Sequence, residues 1–313
     1  MPVRGIAPRG RMWFSHFMTD DLKTLADLLD RHARRYGRET PVDGLNLTRT
    51  ETPMEIRSVY RPSFCAVLQG GKVSMLGERA FRYGAGQGLL ASVDVPVTAR
   101  IVEASPERPY LAFGVEIDPA MVAEMLPALA EDAVAEPAFT ALHTDRLDAA
   151  IMDPLGRLLS LLDQPRDIPV MAPLIKREIT WRLLNGSLGP MLRHMGLRDS
   201  QAARIGRATA WIRDHFREPL RVPDLAEMAG MSLASFHRHF KAVTTLSPVQ
   251  FQKLVRLQEA RRMLLENHEV SAVGYAIGYE SASHFNRDYR RQFGAPPGRD
   301  VAAIRALVAR EVA

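Results

Sequence analysis

Arg238 and Arg287 stand 49 residues apart in the same local order. Each has an aromatic residue two places before it (Phe236, Phe285), another two places after it (Phe240, Tyr289), and a second cation three places after it (Lys241, Arg290). A guanidinium is a planar, permanently charged fork of donors. Its chemistry is bidentate hydrogen bonding to a flat acceptor edge or to an oxyanion. On a helix the two aromatics of each set fall on one face and the two cations on another. The same donor chemistry is therefore presented twice, each time from an aromatic-backed helix.

The repeat extends upstream. Leu225-Ala226-Glu227-Met228-Ala229-Gly230-Met231-Ser232 corresponds to Val273-Gly274-Tyr275-Ala276-Ile277-Gly278-Tyr279-Glu280-Ser281. The offset is 48 up to the glycine (Gly230 to Gly278) and 49 from Phe236 to Phe285 through Pro248 to Pro297, so the second copy has one extra turn residue. Such duplication marks a structural unit. Pro223-Asp224 suits a helix start, Leu225, Met228 and Ala229 form an apolar stripe, and Gly230 suits the stop. Ser232 and Ser281 can cap the second helices. Their inward faces are Phe236, Phe240, Val243 and Phe285, Tyr289, Phe293, and their outward faces are Ala234, His237, Arg238, Lys241 and Ser283, Arg287, Arg290. Helix, glycine turn and helix make a helix-turn-helix, whose second helix fits the DNA major groove.

Between the copies, Ser247-Pro248 opens a helical pattern to about Glu266. A helix of about nineteen residues rises about 28 Å, comparable with the roughly 34–36 Å of one DNA turn. The spacing thus allows both second helices to enter successive major-groove segments on one DNA face.

On these residues, 204–305 resemble the DNA-binding domain of the AraC/XylS family of bacterial transcription regulators. The carriers are Leu225 to Ser232, Phe-His-Arg-His-Phe-Lys at 236–241, and Gly278-Tyr279-Glu280-Ser281 with Phe285, Arg287, Tyr289, Phe293, Gly294 and Pro297. The resemblance implies base-facing positions at Ala234, His237 and Arg238 in the first unit and at Ala282, Ser283, His284 and Arg287 in the second. Ala234 and Ala282 can offer only apolar contact, such as to a thymine methyl. Ser232, Lys241 and Arg290 are expected at phosphates, which position without specifying.

Charge agrees with this reading. From residue 201 onward there are 17 Lys/Arg against 11 Asp/Glu, a net +6, whereas the whole chain is +5. The positive excess therefore lies where phosphate would be met. With 313 residues, two domains are the natural expectation. No apolar run is long enough to cross a membrane, and Met1 to Ile6 lack a signal-peptide core. The single cysteine, Cys65, forms no intramolecular disulfide and suits a reducing cytoplasm. It sits in the apolar run Phe64 to Leu68 and reads as a small buried hydrophobe.

The N-terminal part reads as a helix over about 20–36, with Thr19 or Asp20 as its cap, then strands over about 44–117. Val73–Leu76 and Ala80–Tyr83 flank Gly77 as a hairpin, and runs at Leu89–Val93, Val97–Val102 and Tyr110–Val115 follow. Closely spaced short strands indicate an antiparallel barrel or sandwich. This stretch is similar to the N-terminal domain of one branch of the same regulators. The carriers are Ser58-Val59-Tyr60-Arg61-Pro62-Ser63, Leu68-Gln69-Gly70, Leu76-Gly77, Tyr83-Gly84-Ala85-Gly86-Gln87, Ser92 to Val97 and Ala104 to Tyr110. The similarity implies a cupin-like fold that senses a small molecule. Residues 118–200 return to helix: one from Asp118-Pro119, one through Leu155–Leu162, and one from about Pro173 to a break at Asn185-Gly186 or Gly189-Pro190. The boundary to the next domain is expected near Gly196–Ser200.

Metal-dependent cupin catalysis needs converging histidines, yet none lies between His32 and His143. No nucleophile elbow, P-loop or dinucleotide fingerprint is present, and Gly84-Ala85-Gly86-Gln87-Gly88 reads as a turn. The expectation is an α+β chain and not an enzyme, without cofactor or metal. Residues 1–200 would form a cupin-like β-barrel with flanking helices for sensing and dimerisation. Residues 201–313 would form an all-α DNA-binding domain of two helix-turn-helix units joined by a long helix. The expected partners are double-stranded promoter DNA, RNA polymerase, a small-molecule effector and a second copy in a homodimer, with no membrane. The alternative is an effector-independent regulator whose barrel serves only dimerisation or protein contacts.

Overall fold

Alternation along one strand divides the N-terminal half into its layers. On β3 (Ser63–Gln69), Phe64, Ala66 and Leu68 face a helical layer, while Cys65 and Val67 face a second sheet. The computed structural model describes residues 11–129, 141–197, 200–266 and 268–312. The expected readings at Met1–Ile6 and at Arg198-Asp199 lie outside the described residues. Helix α1 (Arg11–Tyr36) begins well before the expected Thr19/Asp20 start and buries Ala26, Leu29 and Ala33. The remaining strands are β1 (Leu45–Thr50), β2 (Met54–Tyr60), β4 (Gly71–Leu76), β5 (Arg79–Gly84), β6 (Gln87–Ala91), β7 (Val95–Glu103), β8 (Tyr110–Glu116) and β9 (Leu142–Arg146).

They form two antiparallel sheets, ordered β1-β8-β3-β6-β9 and β2-β7-β4-β5, that enclose a lumen. The expected hairpin is present: β4 and β5 join through Gly77-Glu78, with Leu76 opposite Arg79. Strand β9 was not expected. Leu-His-Thr-Asp-Arg carries one buried residue and no apolar alternation, so only its pairing with β6 defines it as an edge strand. Cys65 is half-buried and faces the lumen instead of lying in the sheet–helix core.

Helices α2 (Pro119–Met125), α3 (Ala149–Ser160), α4 (Ile168–Asn185) and α5 (Gly189–Gly196) complete the layer over the first sheet. Asp118 caps α2 by accepting from Ala120 N at 2.8 Å, and Asp148 caps α3 from Ile151 N at 2.9 Å. Helix α4 starts at Ile168 and not at Pro173. Pro169 occupies the first turn, where a missing N–H costs nothing, and Pro173 lies within the helix.

The C-terminal helices are α6 (Gln201–Asp214), α7 (Val222–Met228), α8 (Leu233–Thr244), α9 (Pro248–Leu265), α10 (Val270–Ala276), α11 (Ala282–Phe293) and α12 (Pro297–Val312). Both expected helix-turn-helix units are present as α7–α8 and α10–α11. Ser247 and Gln250 form a reciprocal capping box at the start of α9. Phe236, Phe240 and Phe251 join one core with Val93, Val95 and Val97 of the barrel, so the first unit and the barrel share a hydrophobic interior. Asp94, almost fully buried, accepts from Arg213 Nη1 of α6 at 2.6 Å across the same junction. Burial holds its carboxyl above the ordinary value, and Arg213 pulls the other way.

Each unit turns on a glycine in the left-handed region, Gly230 at φ +62° and Gly278 at φ +89°. Their surroundings differ. A Cβ on Gly230 would meet the Arg204 guanidinium at an ordinary 3.5 Å, whereas one on Gly278 would lie 2.6 Å from the carbonyl oxygen of Arg217. Gly230→Ala should therefore cost about 1–2 kcal/mol for the backbone conformation alone, and Gly278→Ala distinctly more, in urea unfolding. Equal costs would contradict this packing. Asp94→Ala should destabilise the chain by about 1–3 kcal/mol by leaving a part-buried guanidinium with a lost partner. A change too small to resolve in the same measurement would show that the junction does not depend on this pair.

Candidate nucleic-acid interface

The second helix of each unit has a strongly segregated surface. On α8, Phe236, Phe240 and Val243 are buried, while Ala234, His237, Arg238 and Lys241 are exposed. On α11, Phe285 and Tyr289 are buried and Phe293 is partly so, while Ala282, Ser283, His284, Arg287 and Arg290 are exposed. The aromatics stack in series: Phe236 to Phe240 at 5.4 Å and Phe240 to Phe251 at 5.7 Å in the first unit, Phe285 to Tyr289 at 5.6 Å in the second. This backing fixes the rotation of each helix and hence the direction of its outer face.

Ser232 and Ser281 occupy equivalent N-caps and accept from Ser235 N and His284 N, each at 3.4 Å. Because the oxygen of Ser232 accepts, its exposed O–H is left to donate outward. Beside it, Arg204, Gly230, Ser235 and His239 line a shallow hollow. At the other end, both helices stop on a left-handed residue at equivalent positions, Thr245 and Gly294.

The charges on these faces are uncommitted. Arg238, Lys241, Arg287 and Arg290 form no ion pair with a carboxylate among the described residues, and Arg238 approaches only its neighbour His239, at 3.5 Å. By contrast, two cations in the surroundings of the same helices that turn toward the protein are paired: Lys253 with Asp288 at 2.6 Å and Arg261 with Asp300 at 2.8 Å. Asp300 also accepts from the buried Tyr289 hydroxyl at 2.9 Å, and with burial this pushes that phenol up.

Two positioning arginines escaped the sequence reading. Arg204 of α6 donates to Gly230 O at 3.0 Å and so grips the first turn. Arg256 of α9 donates to Gly278 O at 3.1 Å and grips the second. Arg256 also reaches the turn between α6 and α7 that leads into the first unit, donating to Phe216 O at 2.6 Å, Arg217 O at 3.2 Å and Glu218 O at 3.0 Å. Burial lowers its pKa, with Tyr279 acting in opposition. An arginine that binds backbone carbonyls carries no local sequence signature, since its partners lie 22 to 40 residues away.

Comparison with known proteins agrees with this geometry. The model of the AraC-type transcriptional regulator N-terminus matches residues 41–191, and a helix-turn-helix domain model matches residues 225–302. The chain is 28% identical over 163 residues to the HTH-type transcriptional activator RhaS of Enterobacter sp. (strain 638), a match covering 50% of this chain and 58% of that protein. It is 30% identical over 161 residues to RhaS of Salmonella agona (strain SL483), covering 50% and 56%. The matched region is thus a little over half the length of these relatives. Among solved structures, ToxT from Vibrio cholerae with a bound unsaturated fatty acid superposes with a TM-score of 0.56 at 9% identity, over 82% of this chain and 94% of that one. ToxT bound to (E)-4-(8-methylnaphthalen-1-yl)but-3-enoic acid gives the same TM-score. At this identity the likeness is one of fold: an N-terminal cupin-like barrel followed by paired helix-turn-helix units. The two models together match well over half of the chain, which belongs to the AraC family of transcriptional regulators.

Proposed function

We propose that this chain regulates transcription by binding double-stranded promoter DNA through α8 and α11. One observation carries the reading: unpaired cations project from equivalent positions of two helices whose other faces are locked in aromatic cores. Arg238 and Arg287 are assigned to guanine edges, with His237, Ser283 and His284 at neighbouring bases and Ala234 and Ala282 in apolar contact. Ser232, Lys241 and Arg290 are assigned to phosphates. Residues 1–200 act as the regulatory part and 201–313 as the DNA-binding part, in a cytoplasmic protein that performs no catalysis. The barrel binds a small-molecule effector, a reading supported by the fatty acid held by ToxT. RNA polymerase is the expected protein partner. A second copy docks on α4, where Val170 and Leu174 are 66% and 57% exposed.

The test is DNA affinity on the best site selected from a random pool, compared with unselected DNA. Arg238→Ala and Arg287→Ala should each cost about 1–3 kcal/mol on the selected site and much less on random DNA. Equal losses on both would mean that the two arginines only neutralise phosphate.

A further inference from the structure

Lysine at position 72 is buried in the lumen of the barrel with no acid to balance it. Its side chain lies on β4, and the residue is only 8% exposed. It takes part in no ion pair among the described residues. Its Nζ lies 5.3 Å from the centre of the Tyr60 ring. Burial disfavours the ammonium, while Tyr60, which also hydrogen-bonds it, and Cys65 act the other way and leave its pKa raised. An unpaired buried cation is among the costliest groups a core can hold.

The neighbourhood repeats the deficit. The hydroxyls of Tyr60 and Tyr110 are buried and have no well-formed hydrogen bond, and Tyr110 is fully enclosed. Tyr83 differs, since its hydroxyl lies 3.1 Å from Ser74 Oγ and each satisfies the other. The Lys72 ammonium has the Tyr60 hydroxyl oxygen as a neutral acceptor, which leaves the O–H groups of Tyr60 and Tyr110 and the charge itself unmatched among the described residues. Buried polar groups are almost always paired, so an unmatched set of donors points to a missing acceptor. There is also open space at Gly114. Gly114 lies opposite Cys65 in the β3–β8 ladder, and a Cβ built on it would meet no atom within 4 Å. By alternation with the buried Ala112, that position faces the lumen, beside Leu89 and Cys65.

We propose that the lumen binds a small monocarboxylic acid, its carboxylate held by Lys72, Tyr60 and Tyr110 and its apolar remainder in the space beside Gly114, Cys65 and Leu89. This rests on the effector reading above and gives that effector a chemical class and a site. A carboxylate offers acceptors only and carries the balancing charge, which a neutral sugar or amide does not. The aliphatic neighbours leave no partner for further polar groups on the ligand.

The test is thermal unfolding of the full chain at fixed ionic strength with a straight-chain series from acetate to decanoate. The neutral amide of each acid serves as a control of matching shape. At least one acid should raise Tm in a concentration-dependent way, and its amide should not. Lys72→Met should abolish the response while leaving the ligand-free Tm no lower than wild type, because it removes an unbalanced charge. Tyr110→Phe, which keeps the ring, should weaken binding by roughly tenfold, as loss of one charge-assisted hydrogen bond does. It decides the matter by the same criterion should Lys72→Met fail to fold. Equal stabilisation by acid and amide, or an undiminished response in both variants, overturns the assignment. If no acid binds but a metabolite of another class raises Tm, the carboxylate site falls and effector sensing stands. If no small molecule binds at all, both fall.

Discussion

The relative pose of the two helix-turn-helix units depends on one guanidinium. Arg256 sits midway along α9 and bonds to carbonyls on both sides of it: Phe216, Arg217 and Glu218 beyond α6, and Gly278 in the second turn. A helix alone fixes distance and rotation only as well as its ends are packed. Four hydrogen bonds from one planar group to the backbone of the two turns restrict the remaining freedom, since those short turns are tied to the helices they join. The rest of α9 is divided between the units. Phe251 and Val255 enter the core of the first, while Leu257, Ala260 and Leu264 enter that of the second.

A second constraint joins the first unit to the barrel. Their side chains occupy one hydrophobic interior, and polar ties lie at its edge: Asp94 to Arg213, and Gln258 Oε1 accepting from Val59 N at 2.9 Å. A close-packed interior transmits displacement instead of absorbing it. A change in the lumen at Tyr60 adjoins β2, which carries Val59, and Val59 is bonded to the helix that sets the pose of the two units. The charge buried at Lys72 and the clamp at Arg256 thus stand at two ends of one packed path. These contacts give the ligand proposed for the barrel a contiguous route to the helices proposed to bind DNA.

The parts legible in the sequence are those in which a residue type is forced by local geometry. Gly230 and Gly278 mark turns because the chain there is left-handed, Ser232, Ser247 and Ser281 mark caps, and the aromatic series marks the buried faces. The duplicated order of these signals made the paired units readable. Arg204 and Arg256 were not readable, because they resemble any helix-surface arginine until distant carbonyls are brought to them. Lys72 escaped for a related reason. Within Gly-Gly-Lys-Val-Ser-Met nothing tells a solvated lysine from a buried one, and only the closing of the second sheet over the first decides it. Strand β9 has too few apolar residues to show a period at all.

In the proposed function both units bind DNA as one rigid body set by Arg256. Footprinting of Arg256→Met on the selected DNA site tests it most directly, with circular dichroism to establish that the variant is helical. Arg238 and Arg287 remain intact in this variant, so the residues proposed to face DNA are those of the wild type. The account predicts protection of the half-site under α8 and loss of protection under α11, because the second unit is no longer held in register. A full footprint at wild-type affinity would contradict it.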